Sequence, residues 1–314
     1  MSFKHIVRTY IYPAILQPPS TLDFSDQFGF RPTGSTTAAL VTLFHTITVM
    51  LDSNPFVHVI ALDFSKAFNT VCHSTLLEKL AMLNLPDEVY NWLKNYFDGH
   101  SHSTRLGWQM STFVDIFASV IQGSGVGPAF YIVCAADLHP LTPGNKSVKY
   151  ADDTYLIIPS SNSQSTITEL EHIEKWSTAN NLRLNHTKTL EILFVARGIR
   201  GSHAILPPPL PGIARVDSIK ALGVVVNNRL TAADHVDSTI AACVKSMYDL
   251  KVLRSHGMPP LPLHTVFQAI LLSKLAYCSC AWYGFCIAKE RDRLESFLRR
   301  CKRRGFCTDT YSNL

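Results

Sequence analysis

Two adjacent carboxylates, Asp152 and Asp153, lie between two apolar runs that favour β-structure. Residues 147–150 precede them and residues 154–158 follow, and both runs contain the β-branched and aromatic side chains that are common in strands. Because Asp accepts turn geometry and forms local hydrogen bonds, the pattern predicts a tight hairpin with the acids at its turn. Neighbouring carboxylates repel each other, and Mg²⁺ is a common compensating charge because it prefers carboxylate and phosphate oxygens. The alternative is a solvated Asp-Asp turn, which is the commoner meaning of such a pair on its own.

A third carboxylate, Asp63, directly follows the apolar run of residues 57–62. An acid placed after a buried strand lies at the end of the sheet, where α/β proteins bind their ligands. Bringing Asp63 beside Asp152 would collect carboxylates from two strands, and such a set can hold two Mg²⁺ ions roughly 3.5–4 Å apart for in-line phosphoryl transfer. One ion would activate the attacking hydroxyl and the other would stabilise the leaving pyrophosphate, while the protein supplies positioning and charge compensation.

Four further segments accompany the two acidic ones, and their order along the chain is the informative property. The six segments are residues 27–36, 61–71, 122–128, 150–153, 184–189 and 221–224. In this order they resemble the motifs of the reverse transcriptases of non-LTR (LINE-type) retrotransposons, and the resemblance covers nearly all of the chain. It implies an RNA-directed DNA polymerase domain of retroelement origin, whose partners are an RNA template, a DNA primer and deoxynucleoside triphosphates.

The fold that the resemblance implies is α+β, a right-hand polymerase. Residues 57–226 would form a palm with the ferredoxin-like succession β-α-β-β-α-β, residues 1–56 partial fingers, and residues 227–314 an all-helical thumb with a basic C-terminal segment. The hydrophobic patterns agree with this succession. They predict helices over residues 36–51, 86–97, 129–138, 165–179 and 233–255, a helix beginning at the capping-box pattern of residues 75–78, and strands over residues 182–184, 191–195 and 222–226. Residues 167, 170, 173 and 176 should form the buried face of the fourth of these helices.

The resemblance also implies roles for individual side chains. Asp63 and Asp152 would ligate both Mg²⁺ ions, for which Mn²⁺ could substitute, and the third catalytic carboxylate, Asp153, would be less directly engaged. Phe68 would lie under the sugar of the incoming nucleotide and exclude a 2′-hydroxyl, so that deoxynucleotides are selected. Ordinary core packing is the alternative for Phe68.

The other residues expected to bind the nucleotide are also members of these motifs. They are Arg31, Phe64, Gln122, Gly123 and Lys188. Arg31 and Lys188 are candidates for the triphosphate, because Arg offers a planar fork and Lys a compact charge, although a solvated surface group is the alternative for each. The glycine-rich residues 122–128 would lie against the templating base pair, with Pro128 in the first turn of the following helix, and a plain glycine-rich turn is the other interpretation.

Three departures from the family pattern affect the expected activity. Asn69 stands where the family usually has Asp, which should weaken activity without abolishing it, and Ile121 replaces a common Pro, which loosens one turn. The sequence also begins shortly before the fingers motif. We therefore expect a piece from the middle of a larger retroelement polyprotein, with an earlier fingers segment and an endonuclease region as partners.

The charge of the chain permits nucleic-acid binding. The formal net charge is +5, and a basic cluster near the C-terminus suits contacts with phosphates. Its candidate nucleic-acid-binding residues are Arg299, Arg300, Lys302, Arg303 and Arg304. A solvated basic face is the alternative, because acidic residues are interleaved in the same segment.

Cysteine usage and the apolar runs indicate the compartment. None of the eight cysteines forms a Cys-x-x-Cys pair, so they predict buried free thiols in a reducing environment. The N-terminus lacks the pattern of a signal peptide, and the apolar run of residues 275–288 is too short to span a bilayer. We expect an intracellular protein of the nucleus or cytoplasm without a membrane partner.

Two other functions compete with the polymerase hypothesis. One is a catalytically silent retroelement remnant that binds RNA or an RNA–DNA hybrid, and the other is an expressed relic without function. The intact acids favour the polymerase.

Overall fold

The computed structural model describes residues 3–120, 123–196 and 206–307. These residues form two compact units. The first contains the described residues up to 191 together with residues 206–215, and the second contains residues 192–196 and 216–307. The expected boundaries of fingers, palm and thumb stay a prediction.

The first unit contains most of the regular structure. Its helices are α1 (Phe3–Ile6), α2 (Tyr12–Leu16), α3 (Thr36–Ser53), α4 (Ala67–Thr70), α5 (His73–Met82), α6 (Asp87–Phe97), α7 (Gly127–Cys134) and α8 (Thr166–Ala179). Its strands are β1 (Phe56–Leu62), β2 (Ser101–His102), β3 (Arg105–Leu106), β4 (Gln109–Met110), β5 (Val114–Asp115), β6 (Lys146–Tyr150), β7 (Asp153–Pro159), the first two residues of β8 (Leu190–Val195), and β9 (Ala214–Arg215). The other residues of β8 belong to the second unit.

A five-stranded sheet has the spatial order β6-β7-β1-β8-β9. Strand β7 is antiparallel to both β1 and β6, and β8 is parallel to β9. Along the chain, β1 is followed by helices, then by the β6–β7 hairpin, then by α8 and β8. The predicted β-α-β-β-α-β succession of an α+β fold is therefore confirmed.

The two central strands are held by burial on both faces. Strands β1 and β7 pair from Val57↔Pro159 to Leu62↔Thr154, and nearly all their side chains are buried. On one face, Ile60 and Leu156 join a core that also contains apolar residues of α5, α6, α7 and α8. Helix α3 packs against β1, β6 and β7. Each fully buried aliphatic side chain contributes about 1.5–3 kcal/mol, so this core fixes where the ends of the two strands lie.

Several elements follow the sequence prediction closely. Helix α3 begins after Ser35, whose hydroxyl accepts a hydrogen bond from the Ala38 amide at 3.0 Å. Helix α6 also matches its predicted range. All eight cysteines are free thiols, and six of them are buried.

Other elements correct the prediction. Helix α5 begins at His73 and not at the capping-box pattern, because Cys72 pairs with Ala118 and directs the chain into the helix two residues earlier. Helix α7 ends at Cys134 rather than at residue 138. Residues 182–184 form no strand, and only Leu184 makes an isolated bridge, to Phe64.

Helix α8 has a shorter buried face than predicted. Leu170, Ile173 and Trp176 are buried, whereas Ile167 in the first turn is 49 % exposed.

The second unit consists mainly of helices. Its strands β10 (Ser218–Ala221) and β11 (Val224–Asn227) form a hairpin, and its helices are α9 (Ala233–Ser255), α10 (Pro260–Val266), α11 (Ser273–Ala276), α12 (Ser279–Trp282) and α13 (Ala288–Arg303). Helix α9 has its predicted bounds and packs against β11, α10, α11 and α13. The predicted strand 222–226 was wrong at its start, because Leu222 and Gly223 have φ values of 45° and 90° and form the turn between the two strands.

Two helical stretches, Thr36–Ser53 and Pro260–Phe285, are long and apolar enough to span a membrane when only length and composition are considered. This is weak evidence, since core helices of soluble proteins pass the same test, and α3 buries five apolar side chains within the fold. The expectation of a protein without a membrane segment stays a prediction.

Candidate active site at the acidic hairpin

The β6–β7 hairpin places the two neighbouring acids at its turn. The strands pair from Lys146↔Ile157 to Tyr150↔Asp153, which leaves Ala151 and Asp152 as the two turn residues. Ala151 has φ 57°, in the left-handed region that disfavours a side chain. Asp152 is half-buried and Asp153 is exposed. The hairpin predicted from the sequence is confirmed.

Asp63 lies at the same end of the sheet. The β1–β7 ladder ends at the pair Leu62↔Thr154, so the next residue on each strand is Asp63 and Asp153. The backbone of Asp63 is held on both sides by one segment: its amide donates to the Thr189 hydroxyl at 3.2 Å, and its carbonyl accepts from the Asn185 amide at 2.8 Å. The structure therefore brings the three predicted acids to one edge, with the fifth of the six motifs beside them.

The acids at this edge repel one another. The pKa of Asp152 is raised mainly by burial; a hydrogen bond with its own backbone opposes this shift, and the charge of Asp63 adds a smaller increase. The pKa of Asp153 is raised by burial and by the charges of Asp152 and Asp63. Among the described side chains, none that is cationic lowers either pKa.

This donor set fits a divalent cation in its chemistry. It consists of carboxylate oxygens, which hard cations prefer, and its negative charge is uncompensated. Within the described ranges, however, no three His, Cys, Asp or Glu side chains lie close enough together to hold one metal ion. The three-carboxylate metal site is therefore not assembled around a single point in this conformation.

One aromatic pair includes Tyr131, whose pKa is raised in part by the charges of the acids. The ring of Phe68, on α4, stacks on the ring of Tyr131, on α7, with 4.7 Å between centroids and 26° between planes. Tyr131 is 1 % exposed, and its pKa lies well above the usual value because of burial and the charge of Asp152. Phe68 is half-buried and is in ring contact with this tyrosine. Sequence reasoning missed Tyr131, whose one signal was a hydroxyl-bearing ring in an otherwise apolar helix.

The predicted triphosphate ligands occupy different environments. Lys188 is exposed and lies in the turn of residues 185–189 that fixes the backbone of Asp63. The guanidinium of Arg31 donates to the Phe24 carbonyl at 2.6 Å, while its Nε atom is buried without a hydrogen-bond partner. Arg31 is thus partly engaged by the protein itself.

The remaining predicted nucleotide ligands are Phe64, Gly123 and Gln122. Phe64 is 5 % exposed, and its ring packs edge-on against Trp176 at 5.9 Å, so its side chain belongs to the core and not to an open site. Gly123 is exposed with φ 82°. Gln122 and Ile121 lie outside the described residues.

Lys149 lies opposite Thr154, one residue pair from the turn of the hairpin, and was not predicted to matter. Its side chain is fully buried, and Nζ donates to the carbonyls of Ala135 at 3.0 Å and Leu138 at 2.7 Å and pairs with Asp26 at 3.1 Å. Burial lowers its pKa, and the charge of Asp26 opposes that shift. A single Lys in a strand usually indicates an exposed position, so the sequence gives no signal for this contact.

The predicted basic cluster lies on and just after α13, in the second unit. Arg299 is exposed and pairs with Glu295 at 3.4 Å, and Arg300 lies over the Phe297 ring at 5.3 Å. Lys302 and Arg303 are also exposed, whereas Arg304 is half-buried near the Met247 sulfur. An open groove of about 500 Å³ runs along this helix, lined in part by Lys289, Arg293, Arg300 and Arg303.

Comparison with known proteins identifies the family. Residues 5–226 match the family described as reverse transcriptase (RNA-dependent DNA polymerase). The chain belongs to this family. Reverse transcriptases generally use divalent metal ions.

Relatives place the chain among retroelement proteins. It is 28 % identical over 240 residues to the probable RNA-directed DNA polymerase from transposon BS of Drosophila melanogaster, covering 72 % of this chain and 26 % of the relative. It is 26 % identical over 292 residues to the corresponding X-element protein of the same fly, covering 88 % and 31 %. The chain thus spans between a quarter and a third of the length of these relatives. The resemblance to non-LTR retrotransposon reverse transcriptases is confirmed.

Solved structures support the fold. Telomerase from Candida tropicalis, in complex with a TWJ fragment of telomeric RNA, superposes with a TM-score of 0.54 at 10 % identity, covering 98 % of this chain and 55 % of that one. The apo enzyme truncated from its C-terminal domain gives a TM-score of 0.50 at 13 % identity, covering 72 % and 44 %. At such identities the likeness shows the polymerase fold alone.

Proposed function

We propose that this chain copies RNA into DNA by adding deoxynucleotides to the 3′-hydroxyl of a primer, with Mg²⁺ held by Asp63 and Asp152. The observation that carries the proposal is the uncompensated carboxylate edge formed by the end of β1 and the β6–β7 turn. In a reverse transcriptase domain, such an edge is suited to charge compensation during phosphoryl transfer.

The protein groups around this edge have distinct tasks in the proposal. Bound divalent cations, two Mg²⁺ or alternatively Mn²⁺, supply the positive charge that the transferring phosphates require. Asp63 and Asp152 would hold them, with Asp153 contributing negative charge nearby. The hydrogen bonds that the Asp63 amide donates to Thr189 and that its carbonyl accepts from Asn185 limit how far the Asp63 backbone can move. Lys188, on the same turn, offers a cation to the triphosphate.

An RNA template and a DNA primer are the proposed macromolecular partners. A solved telomerase neighbour carries telomeric RNA, and the basic side chains of α13 suit sequence-independent contacts with phosphates. We extend the template proposal to this chain on the basis of family membership. The endonuclease and further fingers segments stay predicted partners, and a nuclear or cytoplasmic location stays a prediction.

Primer extension tests the proposed activity directly. Purified chain should extend a labelled DNA primer on an RNA template with Mg²⁺ and deoxynucleotides, and the Asp63→Asn/Asp152→Asn double variant should not. Circular dichroism must show that the variant is folded. Equal extension by the two proteins would disprove the assignment of the acids.

A second candidate is binding without catalysis. It is favoured by the absence, among the described residues, of a preassembled group of three metal ligands, and by Asn69 at a position where an acid is usual. This candidate predicts hybrid binding that weakens with salt and no incorporation with any divalent metal. A folded wild-type protein that binds hybrid without extending it would decide in its favour.

Phe68 should control the choice of sugar. Replacing it with Val removes the ring that stacks on Tyr131 and opens space for a 2′-hydroxyl. We expect discrimination against ribonucleotides to fall by about 100-fold, the scale on which steric selection in a pocket operates. The measurement is the ratio of kcat/KM for a deoxynucleotide and its ribonucleotide.

Phe64→Leu is the matched control, because the Phe64 ring lies in the core against Trp176. It should leave that ratio unchanged. If Phe68→Val discriminates against ribonucleotides as strongly as the wild type, Phe68 serves in ordinary core packing and does not select the sugar.

A further inference from the structure

One side chain from the first motif reaches the turn that carries Asp152. Gln27 is 2 % exposed, and its Oε1 atom accepts hydrogen bonds from the amides of Gly29 and Ala151, both at 2.9 Å. Its Nε2 atom donates to the Ala151 carbonyl at 3.5 Å. Both backbone groups of Ala151 are thus bonded by the same amide side chain.

The backbone around Gln27 is also fixed to the hairpin. The Lys149 amide donates to the Asp26 carbonyl at 2.7 Å, and the Phe28 amide donates to the Lys149 carbonyl at 2.8 Å. These two bonds form an isolated parallel bridge between Gln27 and Lys149 on the outer edge of β6. The side chain of Gln27 is therefore held in register with the turn.

Gly29 lets the chain approach the Ala151 turn closely, because glycine has no side chain. A Cβ atom at this position would lie 2.3 Å from the Ala151 nitrogen and 2.9 Å from the Tyr150 carbonyl carbon. Both are backbone atoms, which cannot turn aside as a flexible side chain would. The backbone at Gly29 thus lies directly against the turn.

The turn needs such external support for two reasons. Ala151 has a left-handed backbone that its side chain disfavours. Asp152 and Asp153 repel each other and are repelled by Asp63, which favours any movement that separates them. Without the Gln27 amide, the Ala151 N–H would have no other partner among the described residues.

We propose that Gln27 and Gly29 form a clamp that fixes the Ala151 turn and thereby positions the carboxylate of Asp152. Gln27 is a positioning residue, because it contacts the turn and not the reacting atoms. The inference rests on the proposed function for its catalytic meaning, whereas the clamp itself can be measured without substrate or metal. It predicts that a side chain at position 27 must offer an acceptor for two N–H groups.

Hydrogen exchange of the Ala151 amide is the direct test. The full chain is labelled with ¹⁵N-alanine, and exchange is compared in the wild type, Gln27→Met and Gln27→Glu. In Gln27→Met, which has no acceptor amide, the Ala151 amide should exchange at least about tenfold faster, because its local opening no longer breaks a hydrogen bond. In Gln27→Glu, an oxygen still accepts from both amides, so protection should be largely retained.

Two controls separate the clamp from general stability. The Ala61 amide, in the central strand β1, should exchange equally slowly in all variants, and the exposed Gln164→Met should resemble the wild type. Equal acceleration of the Ala61 and Ala151 amides in Gln27→Met would overturn the clamp, since it would indicate only a less stable fold. Unchanged Ala151 exchange would overturn it as well.

A second readout connects the clamp to the acids. The Mg²⁺ concentration that gives half of the maximal rise in melting temperature should increase roughly 10-fold in Gln27→Met, as is common when a group that supports a metal ligand is removed. An equal Mg²⁺ requirement in the two proteins would contradict the positioning role. If Gln27→Met does not fold, Gln27→Asn, whose side chain is one methylene shorter, is measured in the same two ways.

A failure of the proposed clamp can be distinguished from a failure of the proposed polymerase function. Wild-type protein that does not extend primers would refute the polymerase, and the Ala151 exchange comparison would still decide the clamp. Wild-type extension together with unchanged Ala151 exchange in Gln27→Met would refute the clamp alone.

Discussion

Asp152→Asn is expected to reduce primer extension by at least about 10³-fold and, at the same time, to melt a few degrees above the wild type at neutral pH. The loss of extension follows because a carboxylate that should hold a divalent ion is replaced by a neutral amide. The gain in stability follows because the substitution removes one member of a set of mutually repelling acids. An opposite sign for activity and stability is the signature of a functional acid.

The pH dependence of this stability gain has a defined sign. The pKa of Asp152 is higher in the folded protein than its unfolded value near 3.9, so protonation favours the folded state. That favourable contribution is complete below the unfolded pKa and is lost as the pH rises through the folded-state pKa. The difference in melting temperature between Asp152→Asn and the wild type should therefore be largest near pH 7 and should shrink toward pH 4.

Scanning calorimetry without divalent ions at several pH values provides the measurement. Asp115→Asn, at an exposed position on β5, is the matched control and should show little change at any pH. A variant at position 152 that melts below the wild type at pH 7 would mean that the Asp152 carboxylate is stabilised by a partner, contrary to its raised pKa. Full primer extension by the same variant would show that Asp152 is not a catalytic residue.

Gly29→Ala is expected to disturb both the fold and the site. The added Cβ would lie 2.3 Å from a backbone nitrogen of the turn, so the two chain segments must move apart. Overpacking against rigid backbone costs about 1–3 kcal/mol or more, and we expect a loss near the upper end of this range. A displacement of about 1 Å at the turn would also reduce extension by about 10²-fold.

Gly284→Ala is the control for the loss of a glycine as such. A Cβ atom there would meet nothing within 4 Å, and the residue has no positive φ. It should be neutral or stabilise the protein by about 0.4–1 kcal/mol, because Ala restricts the unfolded chain more than Gly does. Urea unfolding of both variants measures the difference in free energy of unfolding. Comparable stabilities for Gly29→Ala and Gly284→Ala would show that the segments around the turn are free to separate.

The parts of the site that the sequence predicted are those encoded by local pattern. The hairpin around Asp152 and the strand before Asp63 follow from apolar runs interrupted by acids, and the structure has both. Ser35 as a helix cap is similarly local, since its hydroxyl bonds an amide three residues away. The family was inferred from the order of the six motifs along the chain, because no single local pattern identifies it.

The parts that were missed depend on contacts between distant residues. Nothing in the neighbourhood of Gln27 indicates that its amide bonds a turn 124 residues later, or that Lys149 is buried. The Phe64 side chain was expected to bind the nucleotide because it belongs to one of the six motifs, yet its packing against Trp176 places it in the core. The false capping box before Glu78 shows the same limit, because Cys72 pairs with Ala118 and sets the helix start.

The long separations within the site also govern when it can form during synthesis. The bond between Gln27 and Ala151 spans 124 positions, and the bond between Asp63 and Thr189 spans 126. At about 5–20 residues per second, Asp63 leaves the ribosome roughly 6–25 s before the residue that fixes its backbone. A shortened translation product that stops soon after Asp153 would contain all three acids, yet the partner of Asp63 would be absent. The presence of all three acids in a shortened copy therefore overstates its chance of being active. A shortened product must extend beyond Thr189 to contain the residue that bonds the Asp63 backbone.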